Sequence, residues 1–93
     1  MNAQTKIVVT SRLLTELPKG TIARVVDVGG DSTSGVASHL IRRLSELGFL
    51  RGETVKVIRR VAGGEPIAVR VGSSTFALRR YEAECIRVEP LTT

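Results

Sequence analysis

Few residues in this chain are of a type and spacing that could do chemistry. His39 is the only histidine, and on a helix Glu46 would follow it two turns later, with Asp31 upstream. A metal would need three or four converging donors. No such set is evident within one chain, so His39 reads as a surface residue, or as a metal ligand only if acidic residues or a second molecule complete the site. Cys85 is the only cysteine, which excludes an internal disulfide and a CxxC motif. Its apolar neighbours Ala83, Ile86 and Val88 suit a small, inert core thiol, and Glu82 and Glu84 would raise its pKa rather than activate it. Those two carboxylates lie two apart on a short helical turn, so they diverge. Ser73 and Ser74 have no histidine near them in sequence. Nucleophile, base and orienting group are nowhere assembled, and the chain reads as non-enzymatic. Residues 29–35, Gly-Gly-Asp-Ser-Thr-Ser-Gly, read as a flexible loop by composition. A phosphate cradle there would want GxxxxGKS/T, and the segment has no lysine.

The bulk properties agree with a binding role. A length of 93 residues allows one domain. Aromatic residues make up 3%, so the core must be built from Val, Leu and Ile. No apolar run is long enough to span a membrane, and Ile7-Val8-Val9 is too short for a secretory segment. Cytoplasmic residence follows as the simplest expectation. Fourteen Lys and Arg against nine Asp and Glu leave a charge of +5, spread along the chain. Such an excess suits nucleic acid, an anionic surface or an acidic protein face. Without clustering or interleaved aromatics it reads first as a solvated surface.

The elements that would position these residues are clearest between Leu44 and Val57. Leu44 and Leu47 share a helical face, Gly48 stands where a helix ends in positive φ, and Phe49 is placed to fold back onto the leucines. Gly52 allows a second turn, after which Val55 and Val57 begin a strand. Val36, Leu40, Leu44 and Leu47 predict a helix over about 35–47, N-capped by Ser34, with Ala37 and Ile41 widening the stripe. His39, Arg42, Arg43 and Glu46 fall elsewhere on it. Strands are expected at 21–28, 54–61, 66–71, 75–79 and 85–88, with helical turns at 13–17 and 80–84. The first strand's muddled period calls for a bulge midway or burial on both faces. Five short strands with one buried face curl into a small barrel. The fold class is therefore mainly β: a five-stranded SH3-like barrel with an inserted helix. Residues 1–12 read as a loose lead-in, 13–89 as the domain and 90–93 as a tail.

The order and spacing of these pieces resemble the FeoA family, the small cytosolic component of bacterial ferrous iron uptake. The carrying segments are Leu14-x-x-Leu17-Pro18-x-Gly20, then Arg43-Leu44-x-x-Leu47-Gly48-Phe49-x-x-Gly52-x-x-Val55-x-Val57. They continue with Pro66-Ile67-x-Val69-x-Val71-Gly72 and with Phe76-Ala77-Leu78-Arg79 leading to Glu82-Ala83-x-x-Ile86-x-Val88. The resemblance covers roughly residues 13–89. The same domain closes the C-terminal end of iron-responsive repressors, whose winged-helix part has no room here, so a stand-alone protein is the better match. The resemblance implies an SH3-like barrel without enzymatic activity, working with FeoB, the membrane ferrous iron transporter with a cytosolic G-protein domain. The inserted helix, through His39, Arg42, Arg43 and Glu46, together with the open barrel edge, is the expected docking surface. Leu44, Leu47, Gly48, Phe49 and Gly52 are expected to be structural. No cofactor is required, and a divalent metal would bind adventitiously or between molecules. An open barrel edge allows a weak homodimer. The alternative is an RNA-binding SH3-like module, because Gly52 to Ile58 resembles the opening of such domains. Against it stand the few aromatics, Phe49, Phe76 and Tyr81, where single-strand binders use stacking rings.

Overall fold

A computed structural model describes residues 11–29, 35–61 and 65–91. Asp31 and Ser34, and the side chains of Val36 and Ala37, lie outside the described set. The chain runs through β1 (Arg12–Leu13), a 3-10 turn (Leu14–Glu16), β2 (Ile22–Val28) and α1 (Gly35–Leu47). It continues through β3 (Thr54–Arg60), β4 (Ile67–Val71), β5 (Ser74–Leu78), a single helical turn α2 (Arg80–Ala83) and β6 (Ile86–Pro90). All strands join one antiparallel sheet in the order β1-β6-β2-β3-β4-β5.

Period-two burial builds the core. Val55 and Val57 of β3, Ile67, Val69 and Val71 of β4, and Ile86 and Val88 of β6 all point inward and are buried. Ala23 and Val25 do the same on β2. A layer whose strands all bury one face around a common interior must curl, and Leu14, Leu17, Leu44 and Phe49 fill the space inside.

The expected bulge in β2 sits at Val26. Val25 pairs with Val88 and Asp27 with Arg87, so Val26 has no opposite number. Its carbonyl accepts a hydrogen bond from Arg51 Nε at 3.1 Å. The bulge thus resolves the muddled period: Ala23 and Val25 face in before it, and Val28 packs on the core after it.

Three expectations need correction. The sheet has six strands, not five, because Arg12 and Leu13 pair with Val88 and Arg87. Two residues carry no periodicity, so only their long-range pairing reveals them, and Arg12 leaves the lead-in. The last strand also runs further than Val88: Pro90 pairs with Ala23, and the Leu91 N–H donates to Ile22 O at 2.9 Å. Proline can occupy a strand end where no ladder donor is needed. Finally, Gly29 is not flexible loop. It is buried, and its N–H donates to Cys85 O at 2.7 Å.

Candidate functional site

Helix α1 is held at its C-terminal end by two backbone hydrogen bonds, Gly48 N–H to Ser45 O and Phe49 N–H to Leu44 O, both at 3.0 Å. This paired closure requires the residue after the helix to be left-handed, and Gly48 has φ +116°. Leu44 and Phe49, the residues that the motif brings together, are both fully buried. The opposite end of the contact is at Gly29, where a Cβ would lie 2.5 Å from Ile41 Cδ1. One face of α1 is therefore seated on the barrel through Leu40, Ile41, Leu44 and Leu47.

His39, Arg42, Arg43 and Glu46 are all exposed. They are three and four apart, which makes one continuous polar face. Arg42 and Glu46 stand a turn apart yet make no ion pair among the described residues, where the ion pair that forms is Arg12–Glu16 at 3.9 Å. No group of three or more His, Cys, Asp or Glu side chains able to hold a metal occurs among the described residues. His39 and Glu46 do not converge, and Asp31 lies outside the described set.

Cys85 is half-buried, and its thiol donates to Tyr81 O at 3.5 Å. Burial first, then the charges of Glu84 and Glu82, push its pKa up. At pH 8 the thiolate fraction is accordingly small, and alkylation by iodoacetamide should run several-fold slower than on a free thiol. Denaturant should remove the difference, and a rate equal to that of a free thiol in the folded protein would contradict the assignment.

The carboxylate of Glu82, nearly buried at 6% exposure, accepts the Arg79 N–H at 2.7 Å, while Glu65 accepts the Arg80 N–H at 2.8 Å. Both carboxylates thus close the N-terminus of α2, a structural use of residues that could have been read as acids. Of the three aromatics, Phe49 is buried and Phe76 half-buried, their rings 6.0 Å apart and tilted by 54°. Tyr81 is the exposed ring.

Sequence reasoning missed one feature. An open groove of about 370 Å³ crosses the outer face of the sheet, bounded by Ile22, Gly52, Glu53, Lys56, Arg70 and Gly72. Lys56 and Arg70 are directly opposite across β3 and β4, an unfavourable pairing of like charges. Neither has an ion pair among the described residues. Their spacing in sequence gives no hint of this, because strand register sets it.

Residues 12–90 match the profile of the FeoA domain. The chain belongs to the FeoA domain family. This family is linked to ferrous iron transport and is not known for enzymatic activity. FeoA of Stenotrophomonas maltophilia, solved with zinc and described as a prokaryotic SH3 domain protein and a candidate ferrous iron transport activating factor, is 42% identical. The similarity covers 82% of this chain and 87% of that one, with a TM-score of 0.70. FeoA of Chlorobium tepidum is 36% identical over 87% of this chain and 71% of its own, with a TM-score of 0.71. IdeR of T. acidophilum, at 18% identity, shares the fold: 96% of this chain superposes on 37% of that one, with a TM-score of 0.72. No curated protein matches the chain. The SH3-like, mainly β architecture expected from the sequence is thus shared with solved FeoA structures. No helix among the described residues is long and apolar enough to cross a membrane.

Proposed function

We propose that this protein is a non-enzymatic accessory of bacterial ferrous iron uptake that docks on the transporter FeoB and modulates its activity. Family membership supports the iron-transport setting. The observation that carries the docking is the division of α1. Its apolar face is seated on the barrel, while His39, Arg42, Arg43 and Glu46 stand exposed, without ion pairs among the described residues. A helix seated on a small barrel through Ile41, Leu44 and its C-terminal closure is held in place before binding, and a pre-positioned surface loses little entropy on binding. The face carries two arginines against one glutamate, so it suits an acidic surface on the partner.

The test is capture of purified FeoB by the immobilised protein. Reversing both charges, Arg42→Glu with Arg43→Glu, should weaken capture by about tenfold or more, since like charges would then face one another. Capture at the wild-type level by that variant would remove α1 from the interface. Failure of the wild-type protein to capture FeoB would remove the docking itself.

A further inference from the structure

The two edges of the sheet differ in how they are guarded. β1 is two residues long and carries Arg12, which is paired with Glu16. Short length and charge are the usual ways to blunt an edge. β5 at the other edge has none of these protections. It is five residues, Ser74-Thr75-Phe76-Ala77-Leu78, without charge or proline, and it pairs with β4 in unbroken register.

The turn before β5 fixes which of its backbone groups face outward. Val71 and Ser74 close a two-residue turn whose first residue, Gly72, has φ +61°. The closing pair of such a hairpin is hydrogen-bonded, and hydrogen-bonded and non-hydrogen-bonded pairs alternate from there. Val69↔Phe76 and Ile67↔Leu78 are therefore bonded, whereas Arg70↔Thr75 and Ala68↔Ala77 are not. The N–H and C=O of Thr75 and Ala77 point away from β4, and none of them bonds to other backbone among the described residues. Thr75 and Ala77 are both exposed.

The side chains beside this edge define what would fit it. Cross-strand partners share a face. On the outer face, Thr75 is backed by Arg70, and Arg70 by Lys56. On the inner face, Phe76 is only half-buried while Leu78 beyond it is buried. A hollow of about 420 Å³ adjoins Ala77, between Pro66 and Arg79, and takes in Glu65. Of the two nearby carboxylates, Glu65 accepts the Arg80 N–H, and Glu53 bounds the groove with Lys56 and Arg70 but forms no ion pair with either among the described residues, so the groove keeps two positive charges against one negative.

We propose that β5 is a strand-addition site for an extended segment of a partner protein in which acidic and apolar residues alternate. Main-chain hydrogen bonds to Thr75 and Ala77 would supply affinity. An acidic residue opposite Thr75 lies about 10 Å from Arg70 between Cα atoms, within reach of its long side chain, and offsets the repulsion between Arg70 and Lys56. The adjacent apolar residue covers the exposed part of Phe76. This surface is separate from α1, and the site stands whether or not α1 docks on FeoB.

The experiment is amide NMR of the full chain titrated with a capped synthetic peptide alternating glutamate and valine, beside a lysine–valine peptide and an oligouridylate. The glutamate peptide should perturb amides at 74–78 and their β4 partners, and the lysine peptide should not. Ala77→Pro deletes an outward N–H without touching the β4 ladder, and it should weaken binding about tenfold. Arg70→Glu, an exposed change that leaves the core intact, should do likewise and keeps the test decisive if the proline variant fails to fold. Several results would overturn the proposal: no perturbation at millimolar peptide, perturbation centred on α1, or binding unaffected by Arg70→Glu. So would oligouridylate binding at 74–78 in place of the peptide, or concentration-dependent shifts there without peptide, which would give the edge to a second copy.

Discussion

Phe49→Ala should lower the stability of this protein by about 3–5 kcal/mol, the range for removing a buried aromatic side chain. Its thermal midpoint should fall by roughly 15–30 °C. Two kinds of interaction are lost together. The ring is fully buried and sits against Phe76 and the leucine face of α1, so truncation opens a cavity that the small core cannot easily close. Phe49 also follows Gly48 in the helix-ending motif, where its apolar contact with Leu44 sets the direction in which the chain leaves α1. For a domain of this size the loss approaches the whole stability. Phe49→Leu keeps most of the apolar volume and should lose distinctly less, and Phe76→Ala should fall between because its ring is half-exposed. Denaturant midpoints of the three variants check the order. A Phe49→Ala protein within about 1 kcal/mol of wild type would mean that the ring does not anchor the helix.

The same stretch shows why much of this fold could be read in advance. Leucines on one helical face, a glycine, an aromatic, a second glycine and then alternating valines are all local signals, and each acts within a few residues of itself. The strands at 22–28, 54–60 and 67–71, the helix at 35–47 and the bulge at Val26 follow from such patterns. What could not be read depends on contacts between distant segments. β1 exists only because β6 lies beside it. Arg51 and Arg60 were counted as surface charge, yet Arg51 bonds the bulge carbonyl of Val26, and Arg60 donates to Leu17 O at 2.8 Å. Lys56, Arg70 and Thr75 form one row through register alone. The four α1 residues were legible as a polar face because helical period is local. The bare edge at β5 was legible only as a general property of barrels, not as a particular strand.

Gly29 was misread for the same reason, and it carries the second large effect. Gly29→Ala should cost about 2–4 kcal/mol, because two penalties add at this position. The backbone is at φ +105°, where an L side chain is strained whatever the space. The new Cβ would also fall 2.5 Å from Ile41 Cδ1 and 3.0 Å from Cγ1, so the isoleucine must swing away or α1 must lift. Gly48→Ala separates the two terms. Its φ of +116° is equally demanding, but its Cβ would meet only Val71 at an ordinary 3.7 Å. That variant should lose the backbone part alone, about 1–2 kcal/mol. Shortening the neighbour supplies the converse: in an Ile41→Ala background, Gly29→Ala should cost no more than Gly48→Ala does, which a double-mutant cycle would register as coupling. Strict additivity, or equal losses at the two glycines, would show that Ile41 is not pressed against β2. If the coupling is found, it bears on function as well. A contact that seats α1 also sets how His39, Arg42, Arg43 and Glu46 are presented, so Gly29→Ala should weaken capture of FeoB without altering any residue on the docking face.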